Sequence, residues 1–116
     1  MFIEGDIRDS TLLTEAAKEC EIIYHLAARV ELQKSIVDPA DCFSVNVTGT
    51  ANVLMEAMKV PGCRLLFASS CAVYPLVPDE PLTEKMATQG GTPYAMSKVV
   101  GERMMEFYQQ YKFAIY

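Results

Sequence analysis

A surplus of positive charge, a metal-binding spacing and a long apolar run are all missing from this chain, and each absence removes a class of function. Lysine and arginine number 10 against 15 aspartates and glutamates, a formal charge of −5, whereas a nucleic-acid footprint is built from clustered basic residues. One histidine and four scattered cysteines, Cys20, Cys42, Cys63 and Cys71, with no C-x-x-C pair, make a poor zinc set. No metal is expected, and the thiols read as reduced and mostly buried, as in cytosolic proteins. No apolar stretch approaches the ~20 residues that cross a bilayer, and Met1-Phe2-Ile3-Glu4 lacks the basic and apolar regions of a signal peptide. A cytoplasmic protein with neither nucleic-acid nor membrane partners is therefore expected. Asn46-Val47-Thr48 has the form of a glycosylation acceptor, but without a secretion signal it is read as incidental.

What is present is a globular composition: 116 residues, 51% of them hydrophobic, enough for one domain with a modest core. Met1 to Ile3 reads as the end of a strand. Asp9 or Ser10 caps a helix running to about Glu19, with Leu12, Leu13, Ala16 and Ala17 on one face. Glu21 to Leu26 is a short apolar run of the kind buried on both faces of a parallel sheet. A polar loop is expected to Val37. Asp38-Pro39 then opens a long helix carrying Phe43, Val45, Val47, Val53, Leu54, Ala57 and Met58, which ends near Pro61-Gly62. Arg64 to Ala68 is a second buried strand. A proline-rich loop, Pro75 to Gly91, precedes a helix to about Tyr111, and Lys112 to Tyr116 begins a last strand. Such alternation of strand and helix implies a parallel sheet with right-handed crossovers.

The polar residues follow the strands. Asp6, the segment Ala27-Ala28-Arg29 and the pair Ser69-Ser70 each come after a strand's carboxyl end, the edge at which open α/β sheets bind ligands. The last long helix starts at the same edge with Thr92-Pro93-Tyr94-Ala95-Met96-Ser97-Lys98. Thr92 suits the cap and Pro93 the first helical position. Tyr94 and Lys98 then share a face, one turn apart. An ammonium held near a phenol favours the phenolate, so the pair can move a proton near neutral pH. The ordinary meaning of this spacing is a buried ring and a solvated charge. His25 and Tyr74 read as core residues, and Met55, Met58, Met104 and Met105 as helical core or interface.

Taken together, Gly5-Asp6-Ile7-Arg8-Asp9, His25-Leu26-Ala27-Ala28, Asn46-Val47-Thr48-Gly49-Thr50, Ser69-Ser70-Cys71-Ala72-Val73-Tyr74 and Tyr94-Ala95-Met96-Ser97-Lys98 followed by Gly101-Glu102 resemble the extended short-chain dehydrogenase/reductase superfamily. The likeness is to its NAD-dependent sugar-nucleotide epimerase/dehydratase family. It implies that residues 1–116 form the central part of an NAD(P)-binding domain, a partial Rossmann-like, doubly wound parallel sheet. The first strands, the glycine-rich G-x-x-G-x-x-G turn and the substrate-binding part have no counterpart here.

The resemblance implies Ser70, Tyr94 and Lys98 as catalytic residues. It implies a cofactor, NAD or NADP, held by Asp6 and Ile7 at the adenine end and by Leu26, Ala27, Ala28 and Arg29 at the pyrophosphate and ribose. Ser69, Tyr94 and Lys98 complete that set, with Asn46 helping to order Lys98. The implied substrate is a nucleotide sugar, and the implied full-length assembly a homodimer. An epimerase is favoured over a 4,6-dehydratase, because Cys71 and Ala72 stand where dehydratases carry acidic residues. A 4-reductase, a 3β-hydroxysteroid dehydrogenase type and a catalytically inactive truncated chain remain as alternatives.

Overall fold

The computed structural model describes residues 2–75, 80–110 and 114–115. Three strands, β1 (Ile22–His25), β2 (Arg64–Phe67) and β3 (Ala114–Ile115), form one parallel sheet in the order β1-β2-β3. Ile22 pairs with Arg64 and His25 with Phe67, so the carboxyl ends of β1 and β2 are level. On the other side of β2, Arg64 and Leu65 pair with Ala114 and Ile115.

Local chemistry sets the helix starts. Asp9 caps α1 (Ser10–Ala17), its Oδ1 accepting the Thr11 and Leu12 amides at 3.0 and 3.1 Å, donors that would otherwise go unpaired. Asp38 accepts the Asp41 amide at 3.0 Å ahead of Pro39, and so begins α3 (Pro39–Phe43). Thr92 accepts the Ala95 amide at 3.1 Å and Pro93 occupies the first position of α5 (Pro93–Gln109). Between α3 and α4 (Thr50–Lys59) the chain loosens into a π-helical stretch, Ser44–Gly49.

Four expectations need correction. Met1 lies outside the described residues, and Phe2 and Ile3 do not join the sheet; a strand exists only through a ladder partner, and the described residues supply none. α1 stops at Ala17, because Glu19 turns left-handed (φ 64°). The supposed polar loop before Val37 contains a short helix, α2 (Leu32–Val37), stitched by a Lys34–Glu31 ion pair and by Ser35 Oγ donating to Leu32 O at 2.7 Å. The long helix from Asp38 is not continuous but passes through the π stretch. Tyr111 to Phe113, Tyr116 and, within the proline-rich loop, Leu76 to Asp79 lie outside the described residues.

The core gathers Val53, Leu54 and Ala57 of α4, Cys63 and Leu65 at β2, and Met105 of α5, with Ile7, Leu13, Ile23 and Phe67 packed around it. α4 packs on α1, α5 and both longer strands. This ties the start of α5 to the carboxyl edge of β1 and β2, where the polar residues collect.

Candidate active site

Beyond β2 the chain reaches Ala68, Ser69 and Ser70. α5 docks there through Lys98, whose Nζ donates to Ala68 O at 2.7 Å and lies 4.8 Å from the Phe67 ring centroid. The lysine is 5% exposed. Burial holds its pKa below the ordinary lysine value, since an ammonium stripped of water loses hydration. The carbonyl bond and the aromatic face offset part of that loss. The reading of Lys98 as a solvated charge is thereby excluded.

Tyr94 sits one turn before it, 7% exposed. Its backbone is fixed at both ends: its amide donates to Ser35 Oγ at 3.2 Å and its carbonyl accepts from Ser97 Oγ at 2.6 Å. Ser70 is half-buried, and its Oγ accepts the Ala72 amide at 3.2 Å, capping the short 3₁₀ turn Cys71–Val73. That bond uses one lone pair and leaves the hydroxyl proton free to be donated. Ser69 is exposed and donates to Glu102 Oε1 at 2.5 Å. Lys98 and Glu102, four apart on α5, thus grip consecutive residues at the end of β2.

The second half of the edge is held by Asn46. Its Oδ1 accepts the Arg29 amide at 2.7 Å, and its Nδ2 reaches Arg29 O and Ser97 Oγ, both at 2.9 Å. It makes no hydrogen bond to Lys98; its link to α5 runs through the neighbouring Ser97. Leu26, 70% exposed, and Ala27 lie bare at the end of β1. Asp6 lies in an ionic chain. Arg8 bridges it at 2.6 Å and reaches Asp41 at 3.7 Å, and Arg29 Nε meets the same Asp41 at 2.9 Å. Hydrogen bonds from the Arg8 side chain and amide bring the Asp6 carboxyl down to about 2. Ile7 turns inward, packing on the core and against Gly49, and its carbonyl accepts from Asn52 at 3.2 Å.

Leu26 and Ala27 at the end of β1, Arg29 and Asn46 beside them, and Ser69 and Ser70 beyond β2 therefore lie along one sheet edge, where α5 docks through Lys98 and Glu102 with Tyr94 one turn before Lys98, and Asp6 joins it through Arg8 and Asp41. Sequence reasoning missed Ser35 and gave no role to Thr50, Ser97 and Glu102, although these three lie within the stretches that carry the resemblance. The Lys98–Glu102 spacing was a further signal for the last of them. Buried hydroxyls such as Ser35 and Ser97 carry no periodic mark.

With this geometry in view, comparison with known proteins is decisive: the family model of GDP-mannose 4,6 dehydratase matches residues 1–115. The chain belongs to that family. Within the extended short-chain dehydrogenase/reductases, members of the GDP-mannose 4,6-dehydratase family share the Rossmann-like fold seen here. The UDP-glucose 4-epimerase of Mycolicibacterium smegmatis is 36% identical over 111 residues, covering 93% of this chain and 35% of that protein. That of Rhizobium leguminosarum bv. trifolii is 36% identical over 110 residues, covering 93% and 34%. Among solved structures, the UDP-glucose 4-epimerase from Brucella ovis in complex with NAD superposes with a TM-score of 0.91 at 31% identity, covering 98% of this chain and 36% of that one. A dTDP-glucose 4,6-dehydratase from Streptomyces venezuelae, solved with NAD bound, gives 0.93 at 29% identity, covering 98% and 36%. The chain spans about a third of the length of these relatives.

Proposed function

We propose that this chain carries the proton-transfer edge of an NAD-dependent nucleotide-sugar 4-epimerase. The observation that carries the reading is the buried Lys98, docked on Ala68 O beside the Phe67 ring, with Tyr94 one turn before it and Ser70 two residues after the docking point. A lysine is desolvated in this way at some cost, and such perturbed groups cluster at functional sites.

The residues present fit a dinucleotide. Lys98 spends one of its N–H donors on Ala68, leaving others for a ribose hydroxyl. Leu26 and Ala27 offer exposed small and apolar surface along the β1 end, and Asp6 retains exposed carboxylate surface beside its Arg8 bridge. Asp6 would hold the adenine amino group, and Leu26 to Arg29 the pyrophosphate and ribose. NAD, when bound, supplies hydride acceptance and return. Tyr94 takes the proton from the sugar hydroxyl and later gives it back. Ser70 donates its free hydroxyl proton to the reacting oxygen, and Lys98 steadies the phenolate charge. Support for epimerisation over dehydration comes from the two curated relatives, both UDP-glucose 4-epimerases, and from Cys71 and Ala72, which supply no carboxyl acid beside Ser70; the family model and the Streptomyces venezuelae neighbour carry the name of dehydratases.

The test is turnover of UDP-glucose and UDP-galactose by the full-length protein. Tyr94→Phe keeps the ring's packing and removes the proton acceptor, so kcat should fall by roughly 10²–10⁴-fold while the melting temperature holds. Ser70→Ala should be milder, since it removes one hydrogen bond. Near-normal turnover in Tyr94→Phe overturns the proton-transfer role. Accumulation of a 4-keto-6-deoxy sugar in place of the 4-epimer overturns epimerisation in favour of dehydration.

A further inference from the structure

His25 lies at the end of β1, 4% exposed, and its Nε2 is 2.8 Å from Thr50 Oγ1. Thr50 Oγ1 in turn lies 2.6 Å from the carbonyl of Asn46. A threonine hydroxyl has one proton, and a carbonyl can only accept. The proton of Thr50 therefore goes to Asn46 O, and His25 must donate from Nε2. This fixes the tautomer of the chain's single histidine. Burial, and secondarily the charge of Lys98, bring its pKa to about 4, so the ring is neutral at pH 7.

The carbonyl held in this way belongs to the π-helical stretch Ser44–Gly49. A π turn is a costly geometry that persists where something holds it, commonly beside functional sites. The same residue's side chain pins Arg29 N and O and the Ser97 hydroxyl, and Ser97 fixes the Tyr94 carbonyl. One polar line thus runs from β1 through the π turn to the start of α5.

We propose that His25 is a positioning residue: its Nε2–H, relayed through the Thr50 hydroxyl, holds the π turn that aims Asn46 at Arg29 and Ser97. It touches no reacting atom in this scheme. A residue that merely filled volume could be replaced by leucine, whereas a donor at this point can be replaced only by another donor. Glutamine carries such a donor at a similar reach. The kinetic part of the proposal rests on the active-site reading above; the hydrogen-bond part does not.

Two pairs of variants of the full-length protein test it: His25→Leu with His25→Gln, and Thr50→Val with Thr50→Ser. Each is measured by amide hydrogen exchange and by kcat and KM. The wild type should show an imidazole proton on Nε2 in slow exchange with solvent. His25→Leu and Thr50→Val should raise Arg29 amide exchange by about tenfold or more, as expected when a hydrogen bond is lost locally. Leu65, in the core, should stay protected. Both variants should lower kcat with little change in KM, and His25→Gln and Thr50→Ser should recover both readouts to within about threefold. Unchanged Arg29 protection in a folded His25→Leu or Thr50→Val variant overturns the proposal, as does a ring protonated at Nδ1 alone. If His25→Leu does not fold, the Thr50 pair and the wild-type imidazole signal still decide. Loss of Arg29 protection together with full activity in Tyr94→Phe would leave the positioning role standing and bring down the active-site reading instead.

Discussion

His25 and Asp6 place two different acid sensitivities in one small molecule. The buried imidazole titrates at about 4 in the fold, against an ordinary value near 6.5. Below pH 6.5 the unfolded chain takes up a proton that the folded chain refuses. Stability contributed by the neutral ring is therefore full above pH 6.5 and falls as pH drops toward 4, by on the order of 2–3 kcal/mol. Asp6, exposed and bridged by Arg8, is lowered to about 2, so its contribution is lost only as pH falls from its ordinary value toward 2. Denaturant midpoints measured from pH 7.5 to 4 should show the first loss, and His25→Gln should flatten it. A flat wild-type profile over that range would contradict the buried neutral imidazole. Spacing singled out Tyr94 and Lys98 and strand order the Ser69-Ser70 pair, while the roles of Ser70 and Asn46 came only with the family resemblance. His25 read only as a core residue, because its donor role depends on Thr50, twenty-five positions away, and on how one hydroxyl proton is shared.

Among the elements, α5 is the one whose close packing the site depends on. A Cβ built on Gly101 would lie 2.4 Å from Phe67 Cζ and 2.9 Å from its Cε1. That ring is flanked by Lys98 Nζ and by the His25 ring at 5.8 Å between centroids, so it has little room to yield. Gly101→Ala gains roughly 1 kcal/mol in helix propensity, yet the overpacking should leave a net loss of about 1–3 kcal/mol. Gly49→Ala meets the Ile7 side chain, with Cδ1 at 2.5 Å and Cγ1 at 2.6 Å, and should cost less, because a half-buried aliphatic chain yields more readily than a ring flanked on both sides. Urea melts of the two variants, side by side, check the order; a more stable Gly101→Ala would show the ring free to move. Helix starts were legible because Asp9, Asp38 and Thr92 are good caps. The π stretch was not: inserting an extra residue per turn leaves the apolar spacing from Phe43 to Met58 helical to the eye. α2 was hidden by its polar residues, and the strand expected at Met1 to Ile3 needed a partner that the described residues do not provide.

For the molecule as a whole, the parallel sheet with helical crossovers was legible from alternation, although four strands were expected and three form among the described residues; which apolar surfaces stay uncovered comes only from the structure. Phe2 is 88% exposed and Tyr24 63%. An apolar groove of about 330 Å³ runs beside β1, lined among others by Leu13, Ala16, Ile22 and Tyr24. The sequence also contains no G-x-x-G-x-x-G turn, and a helix N-terminus behind such a turn is what receives a pyrophosphate. The 116-residue chain on its own should therefore bind NAD weakly, and exposed apolar surface of this kind should bind a hydrophobic dye and favour self-association. Calorimetric titration with NAD, beside light scattering, measures both. Stoichiometric binding at micromolar affinity or better would show that the edge residues suffice without the turn.

The register of the sheet bears on how the chain reaches this state. Ile22 meets Arg64, and Arg64 meets Ala114, so each ladder closes a loop of roughly 40–50 residues before its first hydrogen bond forms. The helices between, capped by their own side chains, can form locally and early. His25 reaches its level with Phe67 only once the first loop has closed, whereas Lys98 and Ala68 O, 30 positions apart, close a shorter loop nested within the second. The two ladders are the most non-local of these contacts, so sheet closure, not helix formation, is expected to limit how fast a newly made chain acquires the full site.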